Sequence, residues 1–418
     1  MNYEDTIAWL YGLEAKRGMD FRLERLGPVL ERLDNPELAF PSIHVAGTNG
    51  KGSTAAMLHS IYTTAGYKTG LYTSPHLLSF RERIRVCNDR IEEHDVVRWV
   101  NTVRDAMDAA DVELTFFEIT TLAAFLEFRE RHIDLAIVET GLGGRLDATN
   151  VVRTVAAVIT SIGIDHERFL GGTIPEIAAE KVGILRTNAP LVTGDLPDEA
   201  LAVIATRVAE TGSRWLCYGK DFGPLQWVGR PRSGEGLTGP HQRHNAGVAS
   251  AVVASLSETF PVASADVRRG VTATRWPGRL EIFERTPRIV VDAAHNPEAT
   301  TCLMGALEAL ELRAPRVLVF GVMADKDWRE MLCTLVPAFQ HIVLVPVANT
   351  RSLDPREARS LVEGLRPCRV APSAADGLRM AEGLAGARGA IVVTGSIFLI
   401  AELYRLCGGA EDPFANAP

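Results

Sequence analysis

Cysteine is scarce in this 418-residue chain: Cys87, Cys217, Cys302, Cys333, Cys368 and Cys407 are scattered, with no C-x-x-C pair. A disulfide framework or zinc site is therefore not expected, and the residues read as structural thiols of a reducing compartment. Positive charge is not in excess either. Lys+Arg total 44 against 52 Asp+Glu, so the formal net charge is 44 − 52 = −8. That balance, with a pI near 5.8, argues against nucleic acid and anionic membranes as partners. No uncharged apolar run reaches the ~18 residues of a membrane span. Met1-Asn-Tyr-Glu-Asp5 has neither the basic nor the apolar region of a secretory leader. Repeats and low-complexity tracts are also missing. What remains is 46% hydrophobic and 23% charged, the profile of a globular protein and not of a disordered one. The expectation is a soluble, cytoplasmic protein of two or three domains, each of about 100–200 residues. It should be a monomer, since no extended apolar stripe demands a partner.

Short β-branched runs alternate with longer helical stretches, which predicts α/β units on largely parallel sheets. Strands are expected at 42–46, 69–73, 135–139, 156–161 and 190–193, and helices at 53–65, 94–109, 118–131 and 175–185. The stretch 219–239, rich in Gly, Pro and Arg, reads as a surface excursion, and a helical run follows at 245–256. Arg275-Trp-Pro-Gly-Arg279 looks like a linker. Beyond it strands are expected at 288–292, 316–320, 341–346, 368–371 and 390–394. The boundary is placed between 276 and 277, giving domains 1–276 and 277–418 with a cleft between them as the substrate site. Ligands of such sheets bind outside the carboxyl ends of strands, so the turns there are where chemistry is sought.

Gly47-Thr-Asn-Gly-Lys-Gly-Ser-Thr54 follows the first of these strands and opens a helix. This is the setting of a P-loop: glycines let backbone N–H groups turn toward phosphate, and the helix dipole adds to the attraction. Lys51 is placed to reach the terminal phosphates and Ser53 to contact Mg²⁺. The spacing departs from G-x-x-x-x-G-K-[ST], because Gly52 separates Lys51 from Ser53. A glycine-rich turn with a surface lysine is the bland alternative.

Asp134-Leu-Ala-Ile-Val-Glu139 is an apolar strand ending in a carboxylate. Beside a P-loop, Glu139 is placed to hold Mg²⁺ through oxygen; on its own such a residue is more often a cap or a solvated group. His166, in a loop, would by itself be structural or exposed. Lys181 is more informative, because it falls on the apolar stripe of its helix, four residues after Ile177 and three before Ile184. A buried ammonium is costly unless paired or neutralised. Glu180, a bound anion, a modification that makes the lysine an anion, or snorkelling would each resolve that cost.

Seven segments together resemble the folylpolyglutamate synthase/dihydrofolate synthase family, within the ATP-dependent Mur-type amide ligases. They are His44-Val-Ala-Gly-Thr-Asn-Gly-Lys-Gly-Ser53, Thr73-Ser-Pro-His-Leu77, Val138-Glu-Thr-Gly-Leu-Gly-Gly-Arg-Leu-Asp-Ala-Thr-Asn150, Asp165-His166, Glu180-Lys-Val-Gly-Ile184, Trp276-Pro-Gly-Arg-Leu280 and Asp292-Ala-Ala-His-Asn-Pro297. They come in the family's order. The resemblance implies a P-loop ATP-binding domain of the Mur-ligase type and a smaller Rossmann-like α/β domain, with the active site in the interdomain cleft. It implies that Asn49, Gly50, Lys51, Gly52 and Ser53 cradle ATP, completed by Asn245, Arg279 and Asp292, with His295 nearby. Ser74, Glu139 and His166 would bind Mg²⁺ (two ions in all), and Lys181 would be carbamylated by CO2. Thr115, Phe116, Phe117, Leu146, Asp147 and Ala148 would line a pterin pocket with Met19, Asp20 and Phe21. One departure is Arg22-Leu23, where the family often has Gly-Leu.

The implied reaction joins L-glutamate to the carboxylate of 7,8-dihydropteroate or tetrahydrofolates through an acyl phosphate. Lys51, Lys181 and His295 are the candidate catalytic residues; no general base for the glutamate amine is named. A dedicated synthase for either substrate is the near alternative. A cell-wall ligase is disfavoured, since 46 residues before Gly47 are few for the UDP-binding domain such enzymes carry. A nucleotide-gated switch would leave the Lys181 helix and the Asp292–Pro297 segment without a purpose.

Overall fold

The computed structural model describes residues 2–17, 22–226 and 236–406. Their backbone forms two compact units: one comprises the described residues up to 226 with 244–274, the other 236–243 with 275–406. Met19, Asp20 and Phe21 lie outside the described residues, as do 227–235 of the expected excursion and Cys407. The other cysteines carry free thiols, and Cys302 and Cys333 are exposed instead of packed inside. Among the described residues no helix is long and apolar enough to cross a membrane.

The first unit is built on eight strands: β1 (Ser42–Ala46), β2 (Thr69–Tyr72), β3 (Ile84–Val86), β4 (Asp89–Arg90), β5 (Leu135–Glu139), β6 (Thr154–Ile159), β7 (Leu191–Thr193) and β8 (Trp215–Cys217). Their order in the sheet is β4-β3-β2-β5-β1-β6-β7-β8. The six from β2 to β8 in that order are parallel, while β3 and β4 continue one edge as antiparallel strands. Strands covered on both faces must be almost wholly apolar. Leu135-Ala-Ile-Val-Glu139 is accordingly buried along its whole length, as is Ser42-Ile-His-Val-Ala46. From β1 the chain crosses to β2 on one side, and from β5 it crosses β1 to reach β6 on the other. The carboxyl ends of β2, β5, β1 and β6 thus lie side by side at a topological switch point.

The second unit has six strands: β9 (Glu281–Phe283), β10 (Arg288–Val291), β11 (Arg316–Phe320), β12 (His341–Leu344), β13 (Cys368–Val370) and β14 (Ala390–Thr394). Their order is β13-β12-β11-β14-β10-β9, parallel except for β9. The antiparallel edges were not anticipated. β4 and β9 have two and three residues and no buried run, so neither carries a periodic signal. The helix holding Lys181 is Ile174–Val182, ending three residues sooner than expected.

Three helix starts follow the sequence rule in which Ser/Thr is answered by Glu three residues on, one of them Ser79 with Glu82 at the short helix Phe80–Arg83. Thr115 caps Phe116–Glu130 with Glu118, and Thr173 caps Ile174–Val182 with Glu176. Glu118 does more than cap. Its carboxylate, nearly buried, also takes a two-pronged ion pair from Arg25, at 2.8 Å from Nε and 2.6 Å from Nη2. That pair ties the turn Leu23–Arg25 to the start of the helix. Arg25→Met, which strands the Glu118 charge, should lower stability by roughly 3 kcal/mol; an unchanged denaturant midpoint would contradict this.

Candidate active site

The loop after β1 makes its turn on glycines. Gly50 adopts φ +83° before the helix Lys51–Thr64 begins. Gly47 runs so close to β6 that an added Cβ would stand 2.0 Å from Thr160 Oγ1. The carboxyl end of β6 holds this loop from one side. Thr48 N–H donates to the Ser161 carbonyl at 2.9 Å, and Asn49 N–H to Ser161 Oγ at 2.9 Å. Thr160 Oγ1 donates back to the Asn49 carbonyl at 2.6 Å. Lys51 Nζ crosses the loop, donating to the carbonyls of Gly47 (2.9 Å) and Thr48 (3.2 Å). First-turn amides of a helix have no partner within it and suit an anion. Asn245 also approaches the loop: its Oδ1 would lie 2.7 Å from a Cβ at Gly50. The structure therefore brings Asn245 to Asn49–Ser53. Thr48, Thr160 and Ser161 escaped the sequence reading, although a Thr-Ser pair closing a strand next to a P-loop was the available signal.

Glu139 ends β5 beside that loop. It is buried, at 4% exposure, and its Oε2 accepts from Ser74 N–H at 3.2 Å. His166 is half-exposed with left-handed backbone at φ 54°, and its N–H donates to Asp165 Oδ1 at 2.8 Å. Among the described residues no three His, Cys, Asp or Glu side chains converge to enclose a metal. One buried carboxylate next to a serine suits Mg²⁺, a hard ion that uses few protein oxygens and fills its shell from phosphate and water. The residues present fit that ion in company with a nucleotide.

Lys181 is buried at 3% exposure, on a helix whose last turn is welded to the segment after β5. Arg145 N–H donates to the Glu180 carbonyl at 2.8 Å, and the Arg145 and Glu180 side chains pair at 2.7 Å. Gly144 has no room for a side chain: a Cβ would lie 2.9 Å from the carbonyls of Glu180 and Lys181. Asn150 Nδ2 donates to the carbonyls of Arg145 (2.9 Å) and Gly183 (3.3 Å), and its Oδ1 accepts from Arg186 at 2.8 Å. Asn150 and Arg186 are further residues that sequence reasoning did not single out.

Thr115 and Phe116 are buried at the start of their helix, and Phe116 stacks on Tyr11 at 5.8 Å between centroids. Phe117 lies over Gly141, where an added Cβ would come 2.5 Å from its ring. The helix start and the loop carrying Leu146, Asp147 and Ala148 are thus side by side. Asp147 spends its oxygens on that loop: Oδ2 accepts from Leu142 N–H at 2.8 Å, and Oδ1 from Thr149 N–H (2.9 Å) and Thr149 Oγ1 (2.5 Å). Burial pushes its carboxyl upward from the usual range, and these bonds oppose the shift. With its hydroxyl proton given to Asp147, Thr149 accepts from His44 Nε2 at 2.8 Å. Burial, and secondarily the Arg186 charge, depress His44 to about 3. It stays neutral and protonated on Nε2.

In the second unit, Asp292 is buried at 8% exposure after β10. It accepts from Leu280 N–H and Ala294 N–H, both at 2.8 Å, and so fixes the turn after Arg279. His295 Nδ1 bonds to the Ala293 carbonyl at 2.9 Å. Arg279 and His295 are half-buried. Asp292 thus brings Leu280, and with it the chain next to Arg279, to the turn that carries His295.

Thr160→Val, nearly isosteric, removes the bond to the Asn49 carbonyl that sets the P-loop. A loss of about 1 kcal/mol is expected, read as ADP affinity falling about fivefold; unchanged ADP binding would dissociate β6 from the loop.

Comparison with known proteins shows the family. Residues 45–223 match the Mur ligase middle domain, and residues 278–397 match the Mur ligase glutamate ligase domain. The chain is 38% identical to a folylpolyglutamate synthase of Lacticaseibacillus casei over 87% of its length and 90% of the relative's. It is 32% identical to a dihydrofolate synthase/folylpolyglutamate synthase of Bacillus subtilis, covering 96% of this chain and 98% of that one. Escherichia coli FolC, solved in complex with DHPP and ADP, superposes with a TM-score of 0.88 at 30% identity, over 97% and 98% of the two chains. The chain belongs to the folylpolyglutamate synthase/dihydrofolate synthase family of ATP-dependent Mur-type ligases.

Proposed function

We propose that this enzyme ligates L-glutamate to the carboxylate of 7,8-dihydropteroate, giving dihydrofolate, and to tetrahydrofolate and its polyglutamates. The observation that carries the reading is the P-loop at Gly47–Ser53, with Glu139 at the end of the neighbouring strand, in a chain similar over nearly its whole length to relatives of both names. ATP is the co-substrate of this ligase family, and ADP is bound in the FolC structure.

The substrate carboxylate oxygen attacks the γ-phosphorus; the new O–P bond forms as the bridging P–O bond breaks, and ADP leaves. The glutamate amine then attacks the acyl carbon, the C–O bond to phosphate breaks, and the nitrogen gives up its proton. The first step presses two anions together, so positioning and charge neutralisation dominate. Lys51 supplies one fixed positive charge at the loop, and the amides of its helix supply partial ones. Mg²⁺ at Ser74, Glu139 and His166 would contribute further charge neutralisation at the phosphates. Lys181, buried as an ammonium, would be at a cost; as a carbamate it would be an anion facing cations. Its neutral amine adds to CO2, a C–N bond forms, one electron pair moves to oxygen, and a proton leaves to solvent. Thr115–Phe117 and Leu146–Ala148 would provide the wall for a pterin, a reading supported by the close approach of Phe117 to Gly141. Arg279, Asp292 and His295 are assigned to the same reaction by resemblance to the family.

Release of ADP with MgATP and L-glutamate, with dihydropteroate or tetrahydrofolate offered separately and products weighed, tests the function. Turnover of both, each product one glutamyl unit heavier, is expected. Turnover of tetrahydrofolate alone would make this a dedicated folylpolyglutamate synthase, as the L. casei relative is named. No glutamate-dependent ADP release with either would overturn the reading.

Lys51→Ala should abolish turnover, and near-normal turnover would contradict its role. Lys181→Ala should be inactive and partly rescued by short carboxylic acids; full activity without rescue would return Lys181 to a packing role.

A further inference from the structure

Ser74 belongs to the loop joining β2 to β3. The loop is closed at its base by Thr73 N–H donating to the Arg83 carbonyl at 3.1 Å. Its interior is filled by one of its own side chains. Glu82 is 4% exposed, and three consecutive backbone amides converge on its carboxylate. Leu77 N–H donates to Oε2 at 2.7 Å, while Leu78 and Ser79 N–H donate to Oε1 at 2.8 and 2.7 Å. Charge-assisted bonds of this kind are short and strong, and they repay the burial of the charge.

A second anchor acts on the same loop. Arg83 Nε donates to His76 Nδ1 at 2.8 Å, so His76 carries its proton on Nε2 and gives it to Tyr11 Oη at 3.0 Å. Ser74 is therefore held on both sides. Before it stands the closing bond of Thr73, after it the His76 and Leu77 anchors, and its own N–H reaches Glu139. The bonds that Glu82 accepts all come from the backbone of its own loop. What it determines is the shape of the loop.

We propose that Glu82 is a positioning residue for the metal–nucleotide centre: it locks the β2–β3 loop in the shape that holds Ser74 beside Glu139. The inference rests on the reading of Ser74 and Glu139 as Mg²⁺ contacts. Loss of a group bonded directly to a metal's ligand costs about 10–100-fold in metal affinity; Glu82 acts on Ser74 through the backbone of 77–79, so the lower end of that range is expected.

Titration calorimetry of ADP, with and without Mg²⁺, on wild type, Ser74→Ala, Glu82→Gln and Glu82→Asp tests it. In Glu82→Gln the amide NH2 meets Leu77 N–H donor to donor, while the carboxylate in Glu82→Asp is one methylene too short to reach all three amides. Both should bind ADP alone as the wild type does, and both should lose about tenfold of the affinity that Mg²⁺ adds. Thermal unfolding of each variant confirms that it is folded. A wild-type Mg²⁺ gain in folded Glu82 variants overturns the inference. So does an equal loss of ADP affinity with and without the metal, which is what a merely structural role would give. If Ser74→Ala keeps the full gain, the metal reading itself fails and takes the inference with it, an outcome visible without any Glu82 variant.

Discussion

Close approach of the P-loop to strand β6 is the constraint on which the site depends. Gly47 passes Thr160 at a distance no side chain could share, and Thr160 in return holds the Asn49 carbonyl. With the loop pinned there, the helix that starts at Lys51 has its amino end fixed in space, and so does Lys51 itself. A phosphate site made of backbone amides works only if those amides do not have to reorganise when the anion arrives. The clip from β6 supplies that rigidity.

The other candidate groups reach the same edge because parallel strands end together. Glu139 closes β5, Ser74 follows β2, and Thr160 and Ser161 follow β6, on either side of β1. Each is then held by a local device: Ser74 by its N–H bond to Glu139, and Lys181 by the weld between its helix and the Gly144–Asn150 segment. The loop proposed to face the pterin is part of that weld. Asp147 orders it from within, while Asn150 ties it to the end of the lysine helix. The two proposed binding functions would thus share one piece of backbone.

Much of this was legible in the chain. Buried parallel strands such as Leu135–Glu139 read directly as apolar runs, and the glycines of 47–52 marked the turn between β1 and the helix Lys51–Thr64. Lys181 stood out because a charge on an apolar stripe has few physical explanations, and it is buried. What escaped notice was mostly polar and local. Thr160, Glu82, Asn150 and Arg25 act through bonds to backbone or to residues far along the chain, and no periodicity marks such partners. The edge strands β4 and β9 are too short to show alternation. Asp147 was expected in the pterin wall; its carboxylate is occupied with Leu142 and Thr149, a use that spacing alone could not reveal.

One edge of the first unit's sheet is proposed to hold both the nucleotide and its metal. A crystal structure with ADP and Mg²⁺ tests this most directly. The account predicts the diphosphate on the amides of 49–53, with the metal in contact with Ser74 and Glu139. A diphosphate seated away from Gly47–Ser53, or a metal with neither of those contacts, would contradict it.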